Sequence, residues 1–126
     1  MGEVREILCY VSPAGNNKIA DWYKDLTATE KADTDEFIKT IRKTKDWGGS
    51  DYKPSLKGYS KLGELRWDSG KKKHRLIGFF KEGKFVAVMG CYHKQKIYTP
   101  ADALEQAEKR RKQIIANEVK TVPYEL

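Results

Sequence analysis

Arg66 and Arg75 are the residues on which chemistry is most readily built, because a guanidinium meets two phosphate oxygens at once in a planar fork. Their relation follows from strand parity. Glu82-Gly83 between Lys81 and Lys84 is a two-residue hairpin signal. It pairs Lys81 with Lys84 and, further along the ladder, sets Arg75 opposite Gly90. A Ser69-Gly70 turn sets Glu64 opposite Arg75, and a turn longer by two residues sets Arg66 there. Opposed residues share a face, so either register gathers Glu64, Arg66, Arg75, Gly90, Tyr92 and Lys94 on one side. Only an odd change of register or a bulge separates them. Leu65, Trp67, Leu76, Phe80, Phe85, Ala87 and Met89 fall on the other side and read as core. The first set suits an anion, with Gly90 leaving room beside Arg75; the plainer alternative is a cross-strand Glu64–Arg75 ion pair with the rest solvated.

RNA cleavage makes specific demands. The 2′-hydroxyl must lose a proton as it attacks the adjacent phosphate, the phosphorane-like transition state needs positive donors, and the leaving 5′-oxygen gains from a proton. Arg66 and Arg75 suit the second role, and Tyr92, Lys94 or His93 suit proton transfer. His93 titrates in the useful range, although simple alternation sends it to the opposite face. Lys53, Lys57 and Lys61, in the loop before the strands, are candidate RNA-backbone contacts, as is Lys96. There is no Cys/His zinc spacing and no phosphate-cradling glycine loop, and His74 and His93 are too few to argue for a metal. No cofactor is expected.

The elements that must carry these residues are legible in outline. Glu6 to Val11 reads as a strand. Ser12-Pro13 offers a helix start, and Ile19, Trp22, Tyr23 and Leu26 follow at the spacing of one buried face. Thr27 and Glu30 form a capping box for a second helix running to about Asp46, with Phe37, Ile38 and Ile41 inward and Gly48-Gly49 ending it. Residues 47 to 61 read as loop. Strands follow at Leu62 to Trp67, Lys73 to Phe80 and Phe85 to about Lys94. Thr99-Pro100-Ala101-Asp102 starts a last helix that runs to about Asn117, with Leu104, Ala107, Arg111 and Ile114 along one side. The expected architecture is α+β: strand, two helices, three-stranded antiparallel meander, helix.

A chain of 126 residues suits one domain, here residues 1–126. No apolar run is long enough to span a bilayer, and the N-terminus lacks the order of a secretory signal, so the cytoplasm is the expected compartment. Cys9 and Cys91 are expected to be free and structural. The net charge of +7 is concentrated: residues 39 to 96 hold 16 Lys and Arg against 5 Asp and Glu. A basic middle between mildly acidic ends points to a polyanionic partner.

Lys61-Leu62-Gly63-Glu64-Leu65-Arg66 and then Arg75-Leu76-Ile77-Gly78-Phe79-Phe80 resemble the paired signature of HigB-like toxins of the RelE/ParE superfamily. Gly90-Cys91-Tyr92-His93-Lys94-Gln95-Lys96, followed by Thr99-Pro100, resembles the ending of that phage-derived branch. The chain departs from the pattern at His74, where the family carries an aromatic residue, and at Gln95, where it carries a second base. The resemblance spans nearly the whole chain. It implies a four-stranded RelE-like sheet with two helices on one side. It also implies the toxin of a type II toxin–antitoxin pair, a metal-independent endoribonuclease cutting mRNA, often on the ribosome. Arg66, Arg75, Tyr92 and Lys94 take the site positions, and a neighbouring helix-turn-helix protein is the expected antitoxin. The alternative within the same superfamily is a non-nuclease inhibitor that binds a protein, such as gyrase or another host target of a phage.

Overall fold

The computed structural model describes residues 4–126. Among them the chain runs β1 (Ile7–Tyr10), α1 (Lys18–Lys24), α2 (Ala28–Arg42), β2 (Tyr52–Lys53), β3 (Gly63–Ser69), β4 (Lys72–Lys81), β5 (Lys84–Lys94), β6 (Ile97–Thr99), α3 (Ala103–Ile115) and β7 (Thr121–Pro123). The sheet is mixed and has seven strands in the order β2-β3-β4-β5-β1-β7, with β6 added on β5. The expected four-stranded sheet is therefore too small. The three additional strands have two or three residues each, too short to show alternation. Pro123 lies in β7, at the edge of the sheet, where its missing N–H costs no ladder bond.

Local chemistry explains where the helices begin and end. Asn17, rather than Ser12, caps α1: its side chain accepts from the amides of Ile19 and Ala20 at 3.1 and 3.0 Å. The Thr27–Glu30 capping box of α2 is present in both directions. That helix stops at Arg42, short of Asp46, and the Trp47 indole N–H then donates to the carbonyls of Ile41 and Thr44 at 2.9 and 3.0 Å. Carbonyls at and just beyond the helix end thus find a partner without another turn.

Two cores flank the sheet. On one face Ile19, Ile38 and Ile41 of the first two helices bury Leu65, Trp67, Leu76, Phe85 and Ala87. On the other, Ala103, Ala107 and Ile114 of α3 cover Ile77, Phe79, Val86, Val88, Met89 and Cys91. A sheet covered on both sides needs apolar residues at successive positions, which is why β5 reads Phe-Val-Ala-Val-Met without alternation. Met89 thus belongs to the α3 side, and Phe80, expected in the core, is 41% exposed.

The hairpin of β4 and β5 turns at Glu82-Gly83 with Lys81 opposite Lys84, both turn residues at positive φ. The pairing runs regularly to Gly78 opposite Ala87, then shifts, so that Ile77 faces Met89. Val88 is the extra residue of a β-bulge. Beyond it every partner moves by one, and Arg75 faces Cys91 instead of Gly90. Between β3 and β4 the turn is Gly70-Lys71, with Ser69 opposite Lys72 and Arg66 opposite Arg75.

Candidate functional site

The bulge re-sorts the side chains. Three rows now cross the α3 side of the sheet: Glu64–Ile77–Met89, then Arg66–Arg75–Cys91, then Asp68–Lys73–His93–Tyr98. The last row lies beyond the apolar residues that α3 covers and reaches solvent, with Asp68 and Lys73 exposed and His93 and Tyr98 half-buried. Tyr92 and Lys94, expected beside the arginines, are on the opposite side, and Gly90 goes with them. A Cβ on Gly90 would overlap the Trp22 indole, so that glycine makes room for α1 rather than for an anion at Arg75.

Glu64 organises the arginines. It is 1% exposed. Its Oε1 accepts from Arg66 Nε at 2.9 Å, with an Arg66 terminal nitrogen also at 2.9 Å, and Arg75 Nε is 3.7 Å away. Its Oε2 accepts from the Tyr98 hydroxyl at 2.7 Å. Arg75 is itself buried and donates to the His74 carbonyl at 2.8 Å, whereas the Arg66 side chain remains 31% exposed. Of the plainer alternative, a cross-strand Glu64–Arg75 pair, only the 3.7 Å contact is present: Glu64 lies opposite Ile77 rather than Arg75, and its closer partner is Arg66 on its own strand. Burial and the carboxylate beside it push the Tyr98 hydroxyl far above its ordinary range, so it stays a hydrogen-bond donor.

His93 packs edge-on against Tyr98, with ring centroids 4.8 Å apart. Burial, and after it the positive charge of Arg75, holds its imidazole below the ordinary range, with Arg66 and Lys73 acting the same way and Glu64 opposing them. The neutral form of the ring, the one able to take a proton, is thereby favoured. Lys73 connects two concavities. One, of about 460 Å³, also touches Arg66 and Arg75; the other, of about 750 Å³, is walled by Lys71, Lys72, Lys94, Tyr92 and His93.

On the far side of the sheet a second polar group is enclosed. His74, fully buried, stacks on Trp67 and meets Tyr92 edge-on at 4.9 Å. Its Nε2 stands 3.2 Å from Glu30 Oε2, which also has Lys72 at 3.5 Å, while Glu30 Oε1 accepts from the Thr27 amide of the capping box. Lys72 lies over the Tyr92 ring at 4.8 Å. Burial dominates here and pushes His74 below its ordinary range, and it pushes the Tyr92 hydroxyl up.

The remaining lysines are dispersed. Lys53 is exposed in β2 opposite Glu64, on the arginine side. Lys57 and Lys61 are exposed around the Leu56–Tyr59 bridge. Lys94 is exposed at the end of β5 opposite Ile97, and Lys96 lies in the exposed turn into β6, where Gln95 and Lys96 take positive φ. Sequence reasoning missed Lys73 and Tyr98. Lys73 only opens the strand expected after the turn, and Tyr98 is the middle residue of a three-residue strand that ends just before Pro100. Among the described residues no group of His, Cys, Asp and Glu side chains is arranged to hold a metal ion.

The model of the family described as "Phage derived protein Gp49-like (DUF891)" matches residues 24–112, from the end of α1 through most of α3. No curated protein and no solved structure matches the chain. The matched segment contains every row of the arginine side and both concavities, and among the described residues no helix is long and apolar enough to cross a membrane. The chain belongs to the Gp49-like phage-derived family, within the RelE/ParE-like toxin superfamily.

Proposed function

We propose that this protein is the toxin of a type II toxin–antitoxin pair and cleaves mRNA by metal-independent attack of the 2′-hydroxyl, as HigB-like toxins do. The observation that carries this reading is the half-exposed imidazole of His93, beside Lys73 and near two guanidinium groups. In this reading His93 accepts the 2′-hydroxyl proton. The new bond from the 2′-oxygen to phosphorus displaces the 5′-oxygen, which takes a proton from solvent water to become a 5′-hydroxyl, and leaves a 2′,3′-cyclic phosphate. Arg66, the more accessible arginine, donates to the phosphoryl oxygens as charge builds, and Lys73 adds positive potential. Tyr92 and Lys94 then belong to substrate binding around the hairpin end rather than to proton transfer. The ribosome as the setting and a helix-turn-helix antitoxin as the neutralising partner are part of the proposal.

Expression in cells followed by sequencing of RNA ends is the direct test. New ends in mRNA are expected, and His93→Gln and Arg66→Ala should each reduce them by about a hundredfold or more. Cleavage of a short RNA by the purified protein, if it requires no ribosome, should persist in excess chelator. A second reading has an observation of its own: Glu64 already pairs with Arg66 and lies near Arg75, which leaves less free positive charge for a phosphate. That favours a protein-binding inhibitor of the same superfamily. Growth arrest without new RNA ends, undiminished by His93→Gln, would decide for it.

A further inference from the structure

The bulge at Val88 determines which of two neighbouring side chains joins the arginines. With regular pairing Arg75 would face Gly90, and alternation would bring Tyr92 to the arginine side and send His93 to the side of α1 and α2. With the bulge, Arg75 faces Cys91 and His93 is in the next row. An extra residue leaves backbone groups outside the ladder, and a carbonyl in this buried region needs a donor. The donor comes from α3. Arg110 Nη1 reaches the Val88 carbonyl at 2.7 Å and lies 3.3 Å from Met89 Sδ. Its guanidinium lies over the Tyr10 ring of β1 at 5.0 Å. One side chain thus ties α3, the bulge and the parallel strand β1 together. The Gly78 side of the irregularity is equally constrained, because a Cβ there would overlap the Val86 carbonyl and the Phe85 ring.

We propose that Arg110 is a positioning residue: by holding the Val88 carbonyl it fixes the bulge and so keeps His93, rather than Tyr92, beside Arg75. Its importance for cleavage rests on the RNA-cleaving reading, but its effect on His93 does not. The test therefore reads His93 directly. The chain has two histidines, so the imidazole signals of the full-length protein are assigned by comparison with His93→Gln and titrated by NMR. Arg110→Met keeps most of the side-chain bulk and removes the donor. The expected result is a folded protein in which the His93 midpoint rises toward that of an ordinary surface histidine and its cross-peaks to Tyr98 weaken. Arg110→Lys, which can still reach with one ammonium, should lie between Arg110→Met and the parent. Where the protein is an active nuclease, Arg110→Met should also lower cleavage about a hundredfold, because displacements of about 1 Å cost that much. A folded Arg110→Met with unchanged His93 titration and unchanged Tyr98 contacts overturns the proposal. So does failure of both variants to fold, which would make Arg110 a residue of general stability. An inactive parent protein whose His93 still shifts in Arg110→Met would sink the nuclease reading and leave this one standing.

Discussion

Burial and Arg75 both act against the protonated form of His93, and burial acts against that of His74. A histidine whose folded value is depressed binds its proton more readily in the unfolded chain. Stability is therefore full above the ordinary histidine value of 6.5 and falls as pH drops below it toward the folded values. Urea denaturation between pH 7.5 and pH 5 should show this loss, and His74→Phe, which keeps a ring against Trp67, should flatten it. An unchanged slope in that variant would mean that His74 is not the group responsible. Arg75 is a different case. An exposed guanidinium could be removed at little cost in stability, but Arg75 is buried, donates to the His74 carbonyl and lies 3.7 Å from the Glu64 carboxylate. Arg75→Ala should cost about 1–3 kcal/mol, the usual penalty for breaking a buried polar contact. Any loss of activity in that variant needs a fold measurement beside it. Arg66, with its accessible side chain, is the cleaner probe of the chemistry.

Among the elements, those that announce themselves locally were legible in the sequence and those defined by their partners were not. The capping box of α2 and the Glu82-Gly83 hairpin depend on residues a few positions apart, and both are present. The bulge depends on Val86-Ala87-Val88-Met89, a run of apolar residues without alternation. Such a run gives no sign of which residue faces which side, so parity past Val88 was unreadable and Tyr92 and His93 exchanged places. The arginine pair itself survived the error because β3 and β4 pair without a bulge. Strands β2, β6 and β7 exist as pairings and leave almost no pattern of their own. Gly90 shows the same limit: a missing side chain tells nothing of what fills the space, here the Trp22 ring. Gly90→Ala should therefore destabilise the fold by about 1–3 kcal/mol, the range for overpacking a filled core. Gly48→Ala, where a Cβ meets nothing within 4 Å, is the control and should be near neutral by thermal melting.

At the scale of the whole molecule, charge is the property that separates the two functional readings. The net charge is +7, and the basic segment includes β3, β4 and β5, which carry the arginine side and the lysines of the two concavities. A polyanion held there by four phosphate contacts releases condensed counterions, with a slope of about −0.7 per contact for single strands. Between 50 and 200 mM salt the affinity for a single-stranded RNA should then fall roughly fiftyfold. Lys71→Gln, Lys73→Gln and Lys94→Gln combined should flatten the slope by about two units, because each removes one contact. Fluorescence anisotropy on a labelled, non-cleavable RNA reads both quantities. A protein target engaged through the same surface would also respond to salt, but RNA would bind weakly and with no slope that these lysines control. A steep RNA slope that is flattened by the triple substitution, together with new RNA ends that disappear in His93→Gln, would place binding and cleavage on one surface. A steep slope that the substitution leaves intact would move the RNA to the lysines elsewhere, such as Lys53, Lys57 and Lys61, and away from His93.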